Sequence, residues 1–155
     1  MTTNTPDYQL IFDSMPSQYV IVDPDFVIVA ATDTFLEMTG KTRDRIVGMN
    51  ILEAFPDDPD NPEAKGTEIL RGSIQRVLDT RAIDILPPVR YDLPDATGKY
   101  VVRWFKPLNA PALDSKGEVA YTRYDVVGWR APQVVQRNYA IPDGLWYGSV
   151  PALLV

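Results

Sequence analysis

Between Ala31 and Pro62 the chain reads ATDTFLEMTGKTRDRIVGMNILEAFPDDPDNP, helix-forming residues broken by a stop every few positions. Gly40 and Gly48 suit the left-handed position that follows a helix, and Pro56 lacks the N–H that would continue one. Thr32, Thr42 and Asn50 are matching starts, the last followed by Glu53 in the N-x-x-E form of a capping arrangement. Each helix allowed here is only about two turns long, and helices that short do not hold themselves in water. Burial must pin the segment, through Phe35, Leu36, Ile46, Val47, Ile51, Leu52 and Phe55. Short helices wrapped over a sheet make a pliable wall, which suits a pocket.

The flanking sequence supplies the sheet. Gln18–Val22 and Phe26–Ala30 are β-rich runs around Asp23-Pro24-Asp25, a compact turn former, and predict a hairpin. Both arms are almost wholly apolar, so both faces need cover. Ahead of them TPDYQLIFDSM predicts a helix with Thr5 as N-cap, Pro6 at its first position and a stripe of Tyr8, Ile11, Phe12 and Met15. After the acidic loop PDDPDNPEAKG, whose spacing is not that of a calcium loop, a longer helix is expected from Thr67 to Thr80 with Ile69, Leu70, Ile74, Val77 and Leu78 on one face. Three strands follow: Ile83–Leu93 with a Pro87-Pro88 break, Lys99–Lys106 and Val119–Trp129. Charge alternation on the last two places Trp104 and Tyr124 inward beside Ile74, with Arg103 and Arg123 outside.

The expected fold is therefore α+β: a five-stranded antiparallel sheet with short helices and one longer helix on one face. The organisation divides into an N-terminal amphipathic helix over residues 1–16, a core over 17–128 and an irregular extension over 129–155, where Trp146, Tyr147 and Leu153 could pack.

Composition narrows the chemistry. Among 155 residues there is no cysteine and no histidine, which removes disulfides, thiolate metal sites, a cysteine nucleophile, a histidine base and a proximal haem histidine. A net charge of −6 disfavours nucleic acid, and no polybasic patch or spanning apolar run points to a membrane. The start MTTNTPDYQ lacks the features of a signal peptide, so a cytoplasmic location is expected. Asp33 and Glu37 could serve as bases in a small cone-fold enzyme, but read better as first-turn charge and exposed helix position. No catalytic residue and no metal site are expected.

The order helix, hairpin, cluster of short helices, longer helix, three-stranded meander resembles the PAS domain family. The carriers are VIVDPDFVIVAATDTFLEMTG, RDRIVGMNILEAFPDDPDNP, LRGSIQRVLDT, YDLP and LNAPALDSKGEV, over about Pro6 to Val127. The likeness is greatest to PAS modules of bacterial sensor histidine kinases and related signalling proteins. The coupling signature that ends their last strand is only echoed by Asp125-Val126-Val127, and the proline-containing tail cannot form a signalling helix.

The resemblance implies a sensory or signalling module in a two-component setting. In one form it binds a small molecule between sheet and helices and modulates a separate effector. In the other it is a dimerisation or protein-interaction module with a filled core. The candidate pocket is Phe35, Leu52, Ile74, Tyr91, Trp104 and Tyr124, with Asn109 and Thr122 as polar handles; plain packing, or a cap for Asn109, explains each equally. Haem held by histidine and flavin–thiol or cinnamoyl attachment are excluded by the missing side chains, leaving non-covalent flavin or a small metabolite open. A homodimer is expected through Tyr8, Ile11, Phe12 and Met15.

Overall fold

The structure, a computed structural model, describes residues 4–129, Trp146–Tyr147 and Val150–Pro151, with side-chain surroundings for residues 4–126. A short helix α1 (Tyr8–Asp13) leads into the hairpin β1 (Tyr19–Val22) and β2 (Ile28–Ala31). Three stubs follow, α2 (Asp33–Thr39), α3 (Arg43–Ile46) and α4 (Ile51–Ala54), then the longer α5 (Gly66–Thr80). The remaining strands of the domain are β3 (Asp84–Ile85), β4 (Val89–Arg90), β5 (Leu93–Pro94), β6 (Tyr100–Val101), β7 (Trp104–Leu113) and β8 (Val119–Trp129).

The main sheet is antiparallel, in the order β2-β1-β8-β7-β3, with β4 also paired to β7. It has six strands where five were expected, because Pro87 and Pro88 split one edge strand into two pieces on the same neighbour. Proline offers no N–H to the ladder, so the break falls where the sequence puts it. In the C-terminal extension, Trp146–Tyr147 and Val150–Pro151 form a two-stranded antiparallel pair. The packing expected of Trp146, Tyr147 and Leu153 lies outside the described side chains.

The stubs start and stop where the residues dictate. The Thr32 hydroxyl caps α2 by accepting from Phe35 N, and Gly40 closes it at φ 66°. Asn50 caps α4 through Leu52 N. Between α3 and α4 the backbone serves a second purpose: Gly48 N donates to Ile28 O, Ile28 N to Met49 O and Ile51 N to Phe26 O. The turn is thereby bonded to the free side of β2. Thirty residues of interrupted helix are what it takes to follow a sheet edge and still drop Phe35, Ile46, Ile51 and Phe55 into the core, where all are buried.

The core packs Val20, Val22, Ile28, Tyr124 and Val126 from the sheet against Phe35, Leu36, Ile46, Ile51, Leu70 and Ile74 from the helices. Phe35 and Phe55 meet edge to face at 5.6 Å. On β8 the buried residues Thr122, Tyr124 and Val126 alternate with half-buried Arg123 and Asp125, as the charge pattern requires.

The first helix departs from expectation. Its N-cap is Asp7, not Thr5, with the carboxylate accepting from Leu10 N, and it ends at Asp13. Ser14 caps the far end, donating from its hydroxyl to Leu10 O. None of its residues is buried.

Candidate functional site

Between the sheet's inner face and the helices lies a small cavity, about 30 Å³ of free space. Its walls are Phe35, Met38 and Thr39 of α2, Ile51 of α4, Phe55 beyond it and Leu70 of α5, closed by Tyr91, Leu93, Phe105, Tyr124 and Val126. Such a space holds a water molecule or two, against the several hundred Å³ of a typical small-molecule site. The lining is apolar apart from the Thr39 hydroxyl, which donates to Phe35 O, and the two tyrosines. Tyr91 donates its hydroxyl to Phe55 O, fixing its ring across the cavity floor. Burial pushes the Tyr91 and Tyr124 phenols well above their ordinary range, so both stay neutral.

Of the eight residues expected at a pocket, Phe35, Tyr91 and Tyr124 line this cavity. Ile74 is fully buried in the adjoining core and Leu52 is half-buried against it, but neither reaches the cavity wall. Asn109 and Thr122 are buried on the inner face, away from the lining.

The inward placement of Trp104 is incorrect. Phe105 is the buried residue, opposite Val89, while Trp104 pairs with Arg90 and lines an outer groove with Asp92, Pro87 and Pro88. The cause is a break at Val102 and Arg103, between β6 and β7, where Arg103 turns its N–H to the Asp92 carboxylate. Counting alternation through the break shifts the face by one. Arg103 itself is exposed, as expected.

Sequence reasoning missed Met38, Thr39, Ile51, Phe55, Leu70, Leu93, Phe105 and Val126 as lining. Phe105 was legible in one way. Adjacent aromatics at Trp104 and Phe105, just after the break between β6 and β7, offer two candidates for one inward place.

Asn109 sits in a buried polar chain. Its amide Nδ2 donates to Ser73 Oγ at 2.8 Å, and Ser73 donates in turn to Asp84 Oδ2 at 2.5 Å. Arg76 grips the same carboxylate at 2.9 and 3.1 Å. The Arg76 hydrogen bonds, helped by Ser73, hold the Asp84 carboxyl below its usual range against the opposing effect of burial. A depressed pKa contributes stability above the unfolded value that is lost as pH falls through the folded one. Asp84→Asn is therefore expected to flatten the acid limb of the stability–pH curve below about pH 4. An unchanged acid limb in urea titrations would show that Asp84 carries none of it.

The candidate bases of an enzyme are engaged or exposed: Asp33 accepts from Arg43 at 2.7 Å, and Glu37 is exposed. Among the described residues no group of three metal-ligating side chains forms, and no helix is long and apolar enough to cross a membrane.

A family model described as the PAS fold matches residues 12–123. The chain belongs to the PAS family. A second model, for a protein of unknown function (DUF3750), matches residues 104–155, so it covers the last two strands of the PAS domain together with the extension. No curated protein matches the chain. Among solved structures, the LOV protein of Rhodobacter sphaeroides is similar at 17% identity and a TM-score of 0.60, over 84% of this chain and 69% of that one. The PAS domain of Bordetella pertussis BvgS is similar at 19% and 0.58, over 84% and 90%. A sensory box sensor histidine kinase from Vibrio cholerae gives 18% and 0.52, over 77% and 86%. At these identities the likeness is one of fold. A flavin does not fit the PAS cavity in this state, because the free space is about a tenth of the smallest typical ligand pocket and its walls offer few polar partners.

Proposed function

We propose that this PAS domain is a cytoplasmic signalling module that works as a homodimer and passes its state to a separate effector. The observation that carries this reading is the exposure of α1. Tyr8 is 71% exposed, Leu10 64% and Ile11 47%, all on a helix that has no fully buried residue. On the sheet's outer face Val29, Tyr121 and Ile85 are also exposed, beside half-buried Tyr19, Ile21 and Leu108. Two apolar faces left open on one chain favour a second copy over solvent. A core with so little free space agrees with a module that acts through its surface.

Burying an aliphatic or aromatic side chain contributes roughly 1.5–3 kcal/mol, so three or four anchors support a modest dimer after the costs of association. Ile11→Asp tests it better than a change at Phe12, which is half-buried within its own chain. Wild type should sediment as a dimer at micromolar concentration and the variant as a monomer. A monomeric wild type, or a dimeric variant, removes the α1 interface.

One observation favours a second reading, a small apolar metabolite in the core: the cavity wall includes Met38, an unbranched side chain that can adapt to what it packs against. Native mass spectrometry of protein from its own host decides it. A stoichiometric added mass supports the metabolite, and a clean apo mass removes it.

A further inference from the structure

Among the described residues, the buried side-chain atoms without a protein partner are Asn109 Oδ1 and Thr122 Oγ1 in the core and the Nε atoms of the half-buried Arg43 and Arg123. Asn109 and Thr122 are essentially inaccessible, at 0% and 1% exposure. Leaving such groups unpaired costs free energy at each site, and native cores seldom do so.

The orientation of the Asn109 amide is fixed by its neighbours. The Asp84 carboxylate can only accept, so Ser73 must spend its single proton on Asp84. Ser73 is then the acceptor for Asn109, and the Asn109 amide must present Nδ2 towards it. Oδ1 consequently faces away, as an acceptor in need of a donor.

Thr122 stands one diagonal step from it. Asn109 pairs with Tyr124 across β7 and β8, and Pro111 pairs with Thr122, so Asn109 and Thr122 share the inner face two residues apart in register. Diagonal neighbours of this kind have Cβ atoms roughly 6–7 Å apart. At that separation both side chains can reach a single water placed between them.

We infer that Asn109 and Thr122 form an internal water site, distinct from the apolar cavity. The water donates to Asn109 Oδ1 and exchanges a hydrogen bond with the Thr122 hydroxyl. It completes a directional chain, Thr122–water–Asn109–Ser73–Asp84–Arg76, that ties β8 and β7 to α5 and β3 and ends on the surface. The apolar neighbour Val22, opposite Thr122 on β1, offers no competing partner.

The sign of one substitution tests this. Thr122→Val keeps the shape and removes the hydroxyl. If the hydroxyl holds a water, the melting temperature falls by several degrees and Thr122→Ser keeps most of it. If the hydroxyl is simply unpaired, its removal raises the melting temperature. Thr122 and Ser73 share no direct bond, so Thr122→Val and Ser73→Ala should combine with a loss at least 2 °C short of their sum. A melting temperature that holds or rises in Thr122→Val, fully additive losses, or a high-resolution crystal structure without a water bridging the two atoms each overturns the proposal.

Discussion

Thr32→Val is expected to destabilise this domain by about 2–4 kcal/mol. Thr32 is 0% exposed and its hydroxyl joins three segments. It accepts from Tyr19 N at 3.1 Å and from Phe35 N at 3.3 Å, and donates to Ser17 O at 2.7 Å. Valine matches the shape but leaves the amides of β1 and of the α2 cap without a partner. A buried donor left unpaired costs about 1–3 kcal/mol and a lost N-cap about 1. Thermal unfolding should register a drop of roughly 10 °C for a chain of this size. Thr32→Ser should sit near wild type. A valine variant within about 1 kcal/mol of wild type, on the same scale, would mean that the hydroxyl is replaceable.

Gly66→Ala and Gly72→Ala, two identical changes in one helix, are expected to have opposite signs. A Cβ on Gly66 would lie 2.6 Å from Tyr91 Cδ2, 2.7 Å from Tyr91 Cγ and 2.9 Å from Asp57 Oδ1. Neither neighbour can retreat freely. The Tyr91 ring is anchored through its hydroxyl to Phe55 O, and Asp57 is held at the start of α5, accepting from Thr67 N at 3.2 Å and from Thr67 Oγ1 at 2.5 Å. Overpacking of this kind costs about 1–3 kcal/mol, more than the gain in helix propensity returns. At Gly72 the nearest atom is the mobile end of Arg76, at 3.3 Å. There alanine should stabilise by roughly 0.5–1 kcal/mol. Urea midpoints of the two variants measure the difference, and a stabilised Gly66→Ala would show that Tyr91 can move.

The fold was legible because its signals are local and repeated. Caps at Thr32 and Asn50, the stop at Gly40 and the turn at Asp23–Asp25 are each written in a few residues, and each forms as read. Strand faces were legible where alternation ran unbroken, as in Thr122, Tyr124 and Val126, and failed at Trp104, where the break between β6 and β7 resets the count. The candidate site was harder. Which core side chains border a free space depends on how neighbouring volumes add up. Ile74 fills its place and Phe55 does not, though both read as core. For α1 the open apolar stripe was legible but its cover was not: such a stripe states a need for burial without saying which surface meets it.

The two borders of the main sheet fix how copies of this domain can meet. On one side the backbone between α3 and α4 already bonds Phe26 and the start of β2 at Ile28, and on the other Pro87 and Pro88 interrupt the ladder beside β3 and β4. A strand from another molecule finds no continuous row of donors and acceptors on either side. Growth by strand addition, the route to fibres and swapped sheets, is closed at both borders. Association is left to side chains, face against face, and that kind of contact can be strengthened or released without breaking a backbone ladder.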